Sequence, residues 1–212
     1  GLATLARLHR EARDFSPDLL GQTVPLTEND SSARRFLPGF AQPGAVRLFD
    51  HIWPELAEAF ETLDAKGMDV IVDAGRLGRE GLPVALLEVA DAIGFVLQSN
   101  LKSLAASRLY LPLLVEQVNS LTADRPLGLL ITGPDRPYSA REITAQFGVS
   151  CWAQIPWAPQ PAGVLSHGLT PPRRFRSSPL LSSYRATALD LTQQLERDKG
   201  LRRKLLLGEG AP

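Results

Sequence analysis

The chain has 212 residues, 44% of them hydrophobic and 22% charged, with 23 basic and 23 acidic side chains. That supplies a sizeable core, and a net charge of zero excludes a global pull toward nucleic acid or an anionic membrane while leaving local patches open. A lone cysteine, Cys151, excludes an internal disulfide framework and suits a reducing, cytoplasmic setting, and no apolar run reaches the roughly 18 residues of a spanning helix.

Residues 1 to 14 place Leu2, Leu5, Ala6 and Leu8 on one face, with Arg7, Arg10 and Arg13 mostly off it. This spacing predicts an amphipathic helix rather than a cleaved signal. From 16 to 48 the chain is irregular, broken by Pro17, Pro25, Pro38 and Pro43. WPELAEAFETLDAKG then reads as a helix, with Pro54 in its first turn and Gly67 past its end.

From residue 69 the pattern alternates. DVIVDA (69 to 74) reads as a strand, followed by a loop with glycines at 75, 78 and 81 and a short helix near 83 to 90. AIGFVLQ (92 to 98) leads to a long helix near 101 to 120, and LGLLIT (127 to 132) to a helix near 140 to 147. Ser139 and Glu142 form the capping-box pattern at the start of that last helix. CWAQIP (151 to 156) is the fourth expected strand.

Short apolar strands separated by helices predict an α/β fold: a doubly wound, mostly parallel sheet with helices on both faces. No domain boundary interrupts residues 1 to 197, which read as a single α/β domain. The stretch WAPQPAGVLSHGLTPPRRFR after Pro156 is too long for a mere connection and reads as a loop. Ser178 and Pro179 then open a further helix, and residues 198 to 212 form a basic amphipathic tail.

In open parallel sheets, ligands bind beyond the carboxyl ends of the strands. An acid at the end of the first expected strand, Asp73, can hold Mg²⁺ or orient a water there; it equally suits the cap of a turn. A phosphate-gripping G-x-x-x-x-G-K-[ST] motif is absent: Gly39 and Gly44 are followed by Ala45 and Val46, and Lys102-Ser103 has no glycines before it. His9, His51 and His167 lack metal spacing, so zinc is not expected. Cys151 and Trp152 suit a core, Trp157 a core or a pocket wall. Arg173, Arg174 and Arg176 around Phe175 suit either a solvated loop or a grip on phosphates, DNA or an acidic partner.

Several of these segments, taken in order, resemble the later two-thirds of the MinD/ParA-type ATPases, the deviant-Walker branch of the P-loop proteins. The likeness runs from about residue 46 to 196. DVIVDAGRLG is similar to the family's strand-to-switch segment, and VADAIGFVLQSNLKSLAASRLYLPLL to a strand meeting a helix that opens with a small polar residue. LGLLITG stands where a strand ending in Asn-Arg is usual, and FGVSCWAQIPWAPQ resembles the final strand and the loop on the base side.

The resemblance implies a P-loop NTPase-like fold, ATP or ADP with Mg²⁺, and a nucleotide-switched dimer that positions cellular cargo on a membrane or on DNA. It implies Asp73 as the catalytic acid that holds Mg²⁺ through water, Gly75 and Gly78 in the switch, and Thr132, Pro156 and Trp157 near the base. Thr132 replaces the family's base-contacting Asn. The phosphate-loop part of the family precedes anything in this sequence, so it is expected upstream of Gly1; the alternative is a non-catalytic interaction or scaffold protein that has lost hydrolysis. Leu201, Arg202, Arg203, Lys204 and Leu205 resemble the short tail by which MinD-type proteins settle on membranes, which would place the protein in the cytoplasm and at the membrane periphery. A homodimer or a protein partner follows from the same likeness.

Overall fold

The computed structural model describes residues 1–11, 19–26, 34–40 and 49–206, with 199–206 as backbone only. Two compact units emerge: Gly1–Arg76 with Leu82–Val89, and Leu77–Gly81 with Ala90–Pro212.

In the first unit, α1 (Leu2–Arg10) buries Leu5 and Leu8, as its helical spacing requires. A two-residue antiparallel ladder joins β1 (Val24–Pro25) to β2 (Arg35–Phe36), a pairing that the proline-broken sequence did not announce. The helix α2 (Trp53–Ala65) begins with Pro54 in its first turn, where the missing N–H has no intrahelical partner to lose. Leu5, Leu8, Leu19, Phe49, Ile52, Leu56 and Ala59 form its core. Phe49 meets Phe40 and Trp53 edge-on at 4.9 and 4.8 Å, the arrangement that aromatic quadrupoles favour. His9 Nδ1 lies 2.6 Å from Glu55 Oε2, tying α1 to α2.

The expected strand at 69 to 74 does not form. This stretch pairs with none of the described strands, and Ile71 is 95% exposed between exposed Val70 and Val72. An apolar, β-branched run fits a pleated surface only where a neighbour supplies the ladder. Beyond it, α3 (Val84–Val89) places Leu87 in the interior.

The second unit holds a three-stranded parallel sheet flanked by helices. Its strands are β3 (Ile93–Gln98), β4 (Leu127–Thr132) and β5 (Cys151–Ile155), in that order. The helix α4 (Leu101–Asn119) links the first two and packs on β3, its buried stripe running Ser107, Leu111, Leu114, Val118. Its interior Pro112 breaks one backbone bond without ending the helix, because Leu111 and Leu114 on either side are buried. Linking β4 to β5, α5 (Ala140–Phe147) carries the capping box of Ser139 and Glu142 and stops at Gly148, whose φ of 67° suits a residue without Cβ.

Leu129 pairs with Cys151, and Leu130 with Ala153, so Trp152 is the extra residue of a bulge. Its ring lies over Gly128, where any Cβ would come within 2.0 Å. The long stretch after Pro156 is not all loop. Residues Pro159–His167 form α6, with prolines confined to its first turn and Gly168 as its left-handed stop. Then α7 (Pro179–Leu206) packs Leu180 against Ala153 and Ile155 of β5. Its backbone runs into the expected tail; the side chains of Leu201, Arg202, Arg203, Lys204 and Leu205 lie outside the described residues.

Candidate functional site

Parallel pairing brings the carboxyl ends of β3, β4 and β5 side by side, and the chain continues the ladder briefly past them. The Ser99 amide donates to the Thr132 carbonyl at 3.0 Å, and the Gly133 amide to the Ile155 carbonyl at 2.7 Å. The Ser99 hydroxyl, buried at the same edge, donates to the Tyr138 carbonyl. Gly133 has φ of 65°, and a Cβ there would meet the Trp157 and Arg136 side chains. Glycine therefore lets the turn after β4 fold back toward the turn after β5.

A hollow of about 200 Å³ opens at this edge, lined by Gln98, Asn100, Thr132, Gly133, Arg136 and Trp157. Trp157, 49% exposed, offers a ring face. The Arg136 guanidinium carbon lies 5.6 Å from the ring centroid, within cation–π range. Asn100 caps α4: its side-chain oxygen accepts from the Ser103 amide at 2.9 Å. The Ser103 hydroxyl in turn accepts from the Gln98 backbone N–H at 3.0 Å, locking the strand end to the helix start. The amino terminus of a 19-residue helix thus contributes its partial positive charge to the hollow's edge.

Thr132 and Trp157 are brought together here, with Pro156 next to Trp157 in the chain. Asp73 and Gly75 belong to the first unit, and the three strands to the second. There Asp73 Oδ1 accepts from the Gly75 amide at 2.9 Å, an Asx turn, and Gly75 holds φ of 68°. Gly78 lies in the short piece 77–81 assigned to the second unit, with open space around its α-carbon.

Gln98, Asn100, Gly133 and Arg136 escaped the reading of motifs. The signal that could have found them is position: each lies at or just past the carboxyl end of a parallel strand.

The remaining candidates stand elsewhere. Arg173, Arg174 and Arg176 are exposed, and the Arg176 carbonyl accepts from Arg185 at 2.9 Å. Cys151 is half-buried, and burial pushes its thiol pKa up, against a nucleophilic role. Among the described residues no group of three His, Cys, Asp or Glu could hold a metal, and no helix is long and apolar enough to cross a membrane. A larger groove of about 490 Å³ lies between α4 and Phe147 of α5, lined by Leu111, Pro112 and Val115 together with Glu116, Asn119 and Ser120.

Fold and site together define a mixed α/β protein with an aromatic-walled hollow at the carboxyl edge of a parallel sheet. The chain matches no protein-family model, and neither a curated protein nor a solved structure matches it significantly.

Proposed function

We propose that the protein is a nucleotide-responsive switch of the MinD/ParA kind, with a doubly wound sheet, whose base-binding end is the hollow between Asn100, Thr132, Arg136 and Trp157. The observation that carries this reading is the half-exposed Trp157 ring beside convergent polar groups at the carboxyl ends of parallel strands. ATP or ADP with Mg²⁺, a dimeric active form and work in positioning cargo follow from the sequence likeness. So does contact of the basic tail with a membrane or DNA surface.

Isothermal titration with Mg·ATP and Mg·GTP, on the full chain and on Trp157→Ala, tests the reading. Binding that weakens at least tenfold in Trp157→Ala supports it. Absence of binding by either nucleotide at millimolar concentration overturns it.

A second reading, a non-catalytic interaction or scaffold protein of the same kind, draws on Asp73. Its carboxylate accepts from the Gly75 amide, a turn-holding role that needs no metal. Phosphate release separates the two readings: nucleotide binding without turnover favours the scaffold.

A further inference from the structure

We propose that the corner where α6 gives way to α7 is a docking surface for an anionic lipid bilayer. Leu165 and Leu169 enter the acyl boundary there, and Arg173, Arg174 and Arg176 meet headgroup phosphates. The surface precedes the basic tail, and it stands whether or not the hollow takes a nucleotide.

Charge is spread unevenly along the chain. Acids and bases are equal in number overall, yet no Asp or Glu lies between Glu142 and Asp190. The charged residues in that interval are Arg173, Arg174, Arg176 and Arg185, all of them exposed. An arginine cluster on an acid-free stretch presents a local positive field that the neutral total conceals.

The corner is held in shape. Leu180 of α7 is buried against Ala153 and Ile155, and Ala158 and Ala162 pack on the same cluster, so α6 and the first turn of α7 share one foundation. Between them the Leu169 amide donates to the Gly163 carbonyl at 3.3 Å. The Leu169 side chain lies over Gly163, where a Cβ would come within 2.7 Å of it. The arginines flank and enter a 3₁₀ turn, Phe175–Ser177. Its backbone is closed by the Phe175 amide on the Pro172 carbonyl at 2.9 Å and the Ser177 amide on the Arg174 carbonyl at 3.2 Å. From α7, Arg185 reaches back to the Arg176 carbonyl at 2.9 Å. Because the backbone beneath these cations is already ordered, docking costs less conformational entropy than a loose loop would lose.

The apolar side chains decide which polyanion fits. Leu165 and Leu169 are 55% and 53% exposed on the same corner. A nucleic-acid backbone offers phosphates to the arginines but nothing to the leucines. A bilayer offers both, with phosphates at the headgroups and an apolar layer just beneath them. Guanidinium groups suit the first of these, since each can meet two phosphate oxygens at once.

Flotation of the full chain with vesicles tests the surface. The parent protein is expected to float with vesicles of equal parts phosphatidylcholine and phosphatidylglycerol, less so at high salt, and not with phosphatidylcholine alone. Joint replacement of Arg173, Arg174 and Arg176 by glutamine should weaken partitioning on the order of a hundredfold, and Leu165→Ser with Leu169→Ser on the order of tenfold. Glutamine at the exposed Lys66, Arg76 and Arg79 removes the same charge elsewhere and should leave partitioning unchanged. Thermal midpoints show that each variant folds. Every variant keeps residues 198–212, so undiminished flotation of the arginine variant would place the contact elsewhere and overturn the proposal. An equal loss in the Lys66, Arg76 and Arg79 variant would reduce the effect to net charge and overturn it too, as would a parent that does not float. Tighter binding to duplex DNA than to the vesicles, lost in the arginine variant, would make the partner a nucleic acid and overturn the bilayer.

Discussion

Ser139 and Glu142 hold each other across the first turn of α5. The Glu142 amide donates to the Ser139 hydroxyl oxygen at 3.2 Å, and the Glu142 carboxylate accepts the Ser139 amide at 2.8 Å. The Ser139 hydroxyl also donates to that carboxylate at 2.7 Å, and this bond first, then the one from the Ser139 amide, lowers the Glu142 pKa below the usual carboxylate value. A lowered folded-state pKa contributes stability above the unfolded value, and that contribution disappears as pH falls through the folded one. The gap in denaturation midpoint between the parent protein and Glu142→Gln should therefore be open at neutral pH and close in acid. An equal gap at both would remove the carboxylate from the account. Ser139→Ala should cost about 1 kcal/mol at neutral pH, as loss of an N-cap does.

Gly128 and Trp152 make a second testable pair. A Cβ on residue 128 would come within 2.0 Å of the indole, so Gly128→Ala must displace the ring. Overpacking of this kind costs about 1–3 kcal/mol. Removing the ring in the Gly128→Ala, Trp152→Ala double variant should recover part of the loss, a non-additivity that urea denaturation can measure. Strict additivity would show that the ring is not the obstacle.

Ile131 and Ile71 share a residue type and, by local sequence, a strand assignment. Ile131 is fully buried in β4, whereas Ile71 is 95% exposed. Ile131→Ala is expected to cost about 2–5 kcal/mol, through lost burial and the cavity left behind. Ile71→Ala should change stability by no more than about 0.5 kcal/mol. Equal losses in urea denaturation would mean that residues 69 to 74 pack as a strand in solution after all.

Asp73 separates a turn from a metal site. An asparagine keeps the oxygen that accepts the Gly75 amide but loses the charge that Mg²⁺ would need. Asp73→Asn should retain the parent thermal midpoint. Under the switch reading it should lose nucleotide turnover more than nucleotide binding. Unchanged phosphate release would take Asp73 out of the chemistry and leave it as the holder of a turn.

Local chemistry announced much of the second unit. The runs LGLLIT and AIGFVLQ are apolar and bounded by turn residues, and Ser139 with Glu142 three positions later names a helix start from the chain alone. These features depend on neighbours within a few residues, so the sequence by itself determined β3, β4, β5 and the capped start of α5. DVIVDA looks the same to such rules, yet forms no ladder, because strand identity requires a partner whose position no local pattern encodes. The stretch after Pro156 reads as a long loop, while α6 forms within it and accommodates its prolines in the first turn.

The candidate site divides along the same line. Thr132 and Trp157 were named through the sequence likeness, and the structure brings both to one hollow. Gln98, Asn100 and Arg136 came to line one hollow only when strand order put three carboxyl ends side by side, across 34 residues from Gln98 to Thr132 and a further turn to Arg136. The direction of the Gln98 and Asn100 amides was decided later still, by the Ser103 backbone N–H that admits an acceptor and nothing else. Sequence chose the side chains; parallel pairing decided which of them line one hollow, and a hydrogen-bond chain decided how the Gln98 and Asn100 side-chain amides are turned.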